Sequence, residues 1–231
     1  FRWQSLHGIE MNMLNFLENH GEQSIASDFF AGNPFKAIPA MVISACMNTN
    51  PVMIYFGQEL GEKGMDEEGF SGRDGRTTIF DYWTVDTIRR WRSGGKFDGK
   101  MLTKEEKKLQ GFYSTLLNLC NKEKAICEGV FFDLTYANLE GIIFNEHRQY
   151  AFFRKAGKDL LFIIVNFDEK PAAPCVKIPT HAFDYLGIPF KDSYKAKDLL
   201  TGNTETLIMA PDQCTKILLE GHGAKILKIK L

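Results

Sequence analysis

Between positions 18 and 23 the chain sets down Glu18, Asn19, His20, Gly21, Glu22 and Gln23. Carboxylates and an imidazole move protons, and amides fix the hydroxyl groups of a ligand, so this is where the sequence concentrates groups able to do chemistry. Such groups work only when an element delivers them. Just before them, Met13, Leu14, Phe16 and Leu17 make an apolar run broken only by Asn15. A near-continuous apolar run reads as a parallel strand buried on both faces, with its carboxyl end handing the polar residues to a site. Small residues and turn formers at 24–28 close the segment.

The elements that would hold this strand follow in order. Residues 37–47 carry Ile38, Ala40, Met41, Val42, Ile43, Ala45, Cys46 and Met47, apolar almost all round, which predicts a helix with little exposed surface. Pro51 ends it. A second short apolar run at 51–56 then leads into Gly57, Gln58, Glu59, Leu60, Gly61 and Glu62. Strand, helix, strand is the βαβ pattern of a parallel sheet. The stretch 57–81 holds six glycines, the acidic run Asp66, Glu67, Glu68, and the arginines Arg73 and Arg76. It is expected to be a long loop over the same face as His20, its charges reading as solvated ahead of a calcium or sugar site.

Tyr82, Trp83, Val85, Ile88 and Trp91 suggest a short helix over 82–93, and Trp3 reads as a packing residue. Thr103 with Glu106 forms a capping box. The helix it opens places Leu109, Phe112, Leu116, Leu117, Leu119 and Cys120 along one side for about five turns. From about residue 128 the pattern turns strand-like. Strands are expected at 150–154 and 160–167, flanking a hairpin signal at 156–159, and at 175–178, 205–209, 215–219 and 225–231. In the last, Leu227, Ile229 and Leu231 share one face and Lys228 and Lys230 the other. Short strands separated by turns predict a small β-sandwich.

Phe16, Leu17, Glu18, Asn19, His20 and Gly21 resemble the fourth signature segment of the alpha-amylase family of glycoside hydrolases, whose usual form is Phe-x-x-Asn-His-Asp. Residues 51–59 resemble that family's eighth barrel strand and its exit, and the helix after Thr103 resembles its last barrel helix. Residues 150–154, 161–167 and 198–202 resemble its carboxy-terminal sandwich. The resemblance implies an α/β plus all-β chain: the C-terminal portion of a (β/α)8 TIM barrel over residues 1–125, with strands 7 and 8, followed by an antiparallel β-sandwich over 126–231. It also implies that Asn19 and His20 bind substrate, and that Gly21 stands where the family has a transition-state-stabilising aspartate.

Retaining glycoside hydrolysis needs two carboxyl groups about 5 to 5.5 Å apart. In the family these come from the fourth and fifth strands of a barrel of about 250 residues, and 125 residues cannot contain those strands. The substitutes within the chain are Glu18, Glu22, Asp28 and Glu59, with Glu22 nearest the site; each reads first as an ordinary charged residue. The expectation is a carboxy-terminal fragment of a hydrolase acting on α-glucans such as starch and malto-oligosaccharides, inactive by itself and with no catalytic residue of its own. Gly21 would impair even the complete enzyme, whether natural or engineered. Two alternatives stand beside it: a non-catalytic carbohydrate-binding or assembly module, and a degenerate relative without catalytic carboxylates.

Composition sets the outer bounds. The chain has 231 residues, 44% hydrophobic and 25% charged, which is ordinary for a globular protein of one or two domains. A net charge of −1 gives no case for nucleic acid. The longest apolar region, 38–56, is interrupted and too short for a membrane span. Residue 1 is phenylalanine and no signal peptide follows, so the chain is expected to begin inside a longer protein. Five widely spaced cysteines support neither a disulfide framework nor a zinc site and read mostly as buried small hydrophobes. No cofactor or metal is expected, and lone barrel strands are expected to drive self-association.

Overall fold

The computed structural model describes residues 8–64, 74–76, 85–139 and 143–231. Trp3, Asp66, Glu67, Glu68, Arg73, Tyr82 and Trp83 lie outside them. In chain order come the helices α1 (Ile38–Cys46), α2 (Asp86–Arg92), α3 (Lys104–Lys122), α4 (Lys124–Cys127) and α5 (Thr180–Leu186). The strands are β1 (Val130–Asp133), β2 (Gln149–Ala156), β3 (Asp159–Asn166), β4 (Cys175–Lys177), β5 (Tyr194–Asp198), β6 (Thr204–Leu207), β7 (Cys214–Lys216) and β8 (Ala224–Lys230). By packing, the chain forms two compact units, residues 1–37 with 50–115 and residues 38–49 with 116–231.

In the first unit the two runs read as parallel strands meet in parallel at a single bridge, Asn15 with Val52. Asn15 N–H donates to Pro51 O and Met53 N–H to Asn15 O, both at 2.9 Å. Burial on both faces is not found: Met13, Leu14 and Phe16 are 38%, 45% and 43% exposed. The cause is the missing neighbour, since among the described residues only Val52 bridges this run.

The capping box forms as expected, with Thr103 N–H donating to Glu106 Oε2 (2.8 Å) and Glu106 N–H to Thr103 Oγ1 (3.1 Å). Arg90 of α2 grips the same buried carboxylate through Nε (2.9 Å) and Nη2 (2.5 Å). Burial alone would raise the Glu106 pKa, but the hydrogen bonds from Arg90 and Thr103 outweigh it and hold the carboxyl below its ordinary value. Gly61 has φ +72°, and a Cβ there would sit 2.9 Å from Pro34 Cγ, so the turn after Leu60 both needs the left-handed conformation and has no room for a side chain.

The second unit is a two-layer sandwich. Six strands run in the order β1-β2-β3-β8-β5-β6, and β4 pairs with β7 in the smaller sheet. The expected hairpin joins β2 to β3, with Ala156 opposite Asp159 across Gly157 and Lys158. One face of the large sheet contributes Ala151, Phe153, Leu160, Phe162, Ile164, Leu227 and Ile229 to a core that also takes in Val176, Phe183, Leu186 and Ile217. The opposite face, with Phe152, Leu161, Ile163, Val165 and Ile226, is buried too, against α1 and α4. Double burial explains why β3 reads as a continuous apolar run and not an alternating one.

Cysteine usage differs from the expectation. Cys175 and Cys214 are joined as a disulfide because β4 and β7 pair antiparallel and bring their Cα atoms to 5.3 Å. Of the remaining three only Cys46 is buried, while Cys120 is half-buried and Cys127 exposed.

Candidate functional site

The extended run ends at Glu18, which turns inward and is 3% exposed. Its Oε1 accepts a hydrogen bond from Ile25 N–H at 2.8 Å, so residues 18–25 wrap around the carboxyl. Its Oε2 is buried without a partner. Burial pushes the Glu18 pKa up; the Ile25 amide pulls it down, and the charges of Glu62 and Glu59 raise it further, to about 7. Burial also raises the Tyr55 and Tyr113 hydroxyls, with the Glu18 charge adding to the effect. Glu62 is itself buried and accepts from Thr87 Oγ1 and, at 3.1 Å, from Gly64 N–H.

Immediately beyond Glu18, Asn19 Oδ1 accepts from Gly21 N–H at 2.7 Å, an Asx turn. The turn leaves His20 and Gly21 exposed. Residues 74–76 lie against this stretch. Gln23 Nε2 donates to Asp74 O at 2.8 Å, Ser24 N–H to Gly75 O at 2.9 Å, and Arg76 Nη1 to Gly21 O at 3.4 Å. Arg76 is held in turn by Asp74, 2.5 Å away. Gly75 makes the approach possible, since a Cβ there would lie 2.0 Å from Ser27 Oγ.

Asn19, His20 and Gly21 therefore share one surface turn. A Cβ added to Gly21 would stand 3.3 Å from Asn19 Oδ1, and its φ is not left-handed, so the backbone accepts a side chain there after a shift of a few tenths of an ångström. Among the alternative carboxylates, Glu22 and Asp28 are exposed and Glu59 half-buried. Asp28 faces Lys63 at 3.4 Å. The interior carboxyl is Glu18 and not Glu22. Spacing does not separate the two; what distinguishes Glu18 is the amide of Ile25, seven residues further on. Among the described residues no group of three or more His, Cys, Asp or Glu could hold a metal ion. No helix among them is long and apolar enough to cross a membrane.

No family model and no curated protein matches the chain. Solved structures do. A noncanonic maltogenic alpha-amylase, AmyB from Thermotoga neapolitana, superposes with a TM-score of 0.61 at 15% identity over 94% of this chain and 41% of its own. AmyP in complex with maltose gives 0.58 at 19% identity over 93% of this chain and 40% of its own. The gamma-CGTase from alkalophilic Bacillus clarkii gives 0.57 at 14% identity, covering 99% of this chain and 28% of its own. The chain thus spans about two-fifths of the length of AmyB and AmyP, 41% and 40%. It shares its fold with them, the antiparallel sandwich corresponding to the carboxy-terminal sandwich of alpha-amylases.

Proposed function

We propose that these 231 residues form the carboxy-terminal part of an alpha-amylase-family glycoside hydrolase whose complete form acts on α-glucans. In this reading residues 1–125 supply the last two strand-and-helix units of the barrel and residues 126–231 the sandwich domain. The observation that carries it is the parallel bridge between Asn15 and Val52. It joins the two runs that resemble the seventh and eighth barrel strands, in the direction a (β/α)8 barrel requires. Solved structures of the same fold include AmyP in complex with maltose and a single-residue variant of AmyP in complex with maltotriose.

At the end of the first run, Asn19 shapes the turn and His20, exposed on it, donates to sugar hydroxyls. Gly21 withholds the carboxylate that would steady an oxocarbenium-like transition state. The nucleophile and the acid lie on strands other than these two, so this chain alone does not cleave glycosides.

One observation favours the sandwich as a binding module. Phe132, Tyr136, His181 and Tyr185 cluster at its surface, ring centroids 5.7 to 6.3 Å apart, with Tyr136 and Tyr185 47% and 64% exposed. Aromatic faces of this kind stack on sugar rings. A single set of measurements separates the readings. Incubated with starch or maltotriose, the chain is expected to release no reducing sugar, and release that vanishes in His20→Ala overturns the proposal. In calorimetry with maltotriose, binding that survives His20→Ala but disappears in Tyr136→Ala/Tyr185→Ala moves the function to the sandwich.

A further inference from the structure

Strand β5 alternates strictly: Tyr194, Ala196 and Asp198 are buried, while Lys195 and Lys197 are exposed. It pairs with β8 so that Lys197 lies opposite Lys228 and Ala196 opposite Ile229. Continuing that register brings Lys195 abreast of Lys230. Tyr194, Ala196 and Ile229 enter the sandwich core, so the four lysines stand together on the other face of the sheet. Lys191 stands apart from them: its Nζ lies 5.9 Å from the centre of the ring of Tyr194, a core residue. With Ser193 and Thr204 the four lysines line a solvent-open pocket of about 460 Å³.

Among the described residues two carboxylates answer them. Glu123 reaches Lys228 at 2.5 Å, and Asp159 bridges Lys228 at 3.1 Å and Lys230. Lys195 and Lys197 make no ion pair among the described residues. Like charges directly opposite one another on neighbouring strands oppose folding. A chain with a net charge of −1 overall nevertheless gathers four lysines, only two of them ion-paired among the described residues, around one open pocket.

We propose that this pocket binds a small phosphate-bearing molecule, its phosphate group seated among Lys195, Lys197 and Lys228 with the hydroxyls of Ser193 and Thr204 at the rim. Ammonium groups are point-charge donors suited to phosphate. The volume is that of a small-ligand site. The cations converge on one cavity and do not run in the stripe that a nucleic-acid backbone follows.

The test titrates the 231-residue chain with pyrophosphate and, separately, with a hexose monophosphate at low ionic strength, against sodium chloride at matched ionic strength. Heat and the thermal midpoint are the readouts. At least one of the two phosphates is expected to bind at sub-millimolar concentration and raise the midpoint, and Lys195→Gln/Lys197→Gln to weaken that binding by about tenfold or more. A response to both assigns the site to the phosphate group itself; a response to the hexose monophosphate alone assigns it to a sugar phosphate. Without ligand, Lys197→Gln is expected to raise the midpoint by removing the repulsion with Lys228, and at saturating ligand its midpoint falls below that of the parent chain. An equal effect of chloride, unchanged binding by the double variant, no response to either phosphate at millimolar concentration, or binding of an oligonucleotide only, overturns the proposal.

Discussion

Glu18 is a carboxyl with one oxygen satisfied and the other buried without a donor. Its folded-state pKa, about 7, lies above the ordinary value of 4.5, so the folded state favours the protonated form. The sign of the linkage follows. Below pH 4.5 the group costs the fold nothing; between 4.5 and 7 the penalty for ionising it grows; above 7 it is fully present, on the order of 3 kcal/mol. Glu18→Gln keeps an acceptor for Ile25 N–H and removes the ionisation. Urea unfolding at pH 8 is expected to show the variant more stable than the parent chain, with the gain gone at pH 4.5; an equal gain at both pH values would assign it to something other than the charge. At this scale the sequence was legible only in part. The polar cluster and its attachment to an extended run could be read directly, because residue type and order display them. Which carboxyl turns inward could not, because that depends on where Ile25 and the Asp74 to Arg76 stretch come to lie.

Elements whose burial matches their pattern were readable: the capping box of α3, the β2–β3 hairpin, and the alternation of β8. Those that depend on distant partners were not. β5 ends in Asp198, a residue that reads as a turn former. Here it is buried and accepts from Leu200 N–H at 3.1 Å and Thr201 Oγ1 at 2.7 Å. Helix α5 is a seven-residue helix begun after Pro179 and stopped by Gly187 at φ +58°. The Cys175–Cys214 disulfide joins residues 39 apart with no motif to announce it. Arg154 belongs to the same class. It lies within an apolar strand and is 2% exposed. Its guanidinium donates to the carbonyls of Ala125 (2.9 Å), Ile126 (2.7 Å) and Met47 (3.1 Å), so a single side chain satisfies backbone acceptors at α4 and just beyond the end of α1. Arg154→Met leaves three carbonyls without their donor and is expected to cost about 3 kcal/mol or more, with Arg154→Lys recovering part of it. Urea denaturation checks this: a loss under about 1 kcal/mol for the methionine variant would show that water replaces the arginine.

For the molecule as a whole, the consequence of the first unit's composition is association. Met13, Leu14 and Phe16 belong to a run that, inside a closed barrel, is covered on both faces and paired on both edges. Here they are 38%, 45% and 43% exposed, and Phe29, Phe30 and Phe56 of the same unit are 49%, 66% and 49% exposed. A run bridged to a neighbour on one edge only among the described residues, with exposed apolar side chains, is a template for another chain. The 231-residue chain is therefore expected to form dimers or larger assemblies in light scattering at micromolar concentration. Phe16→Lys should shift it toward monomer, because a buried intermolecular contact would have to desolvate the new charge. The sandwich gives an internal control. The faces of β2, β3 and β8 are covered by α1, α4 and the smaller sheet, so a charge placed at an exposed polar position of this unit, as in Gln213→Lys, leaves the assembly state unchanged. A monodisperse monomer across the concentration range would mean that the exposed run is shielded in solution, and the proposal that residues 13–17 and 51–56 are barrel strands lacking outer neighbours would fall with it.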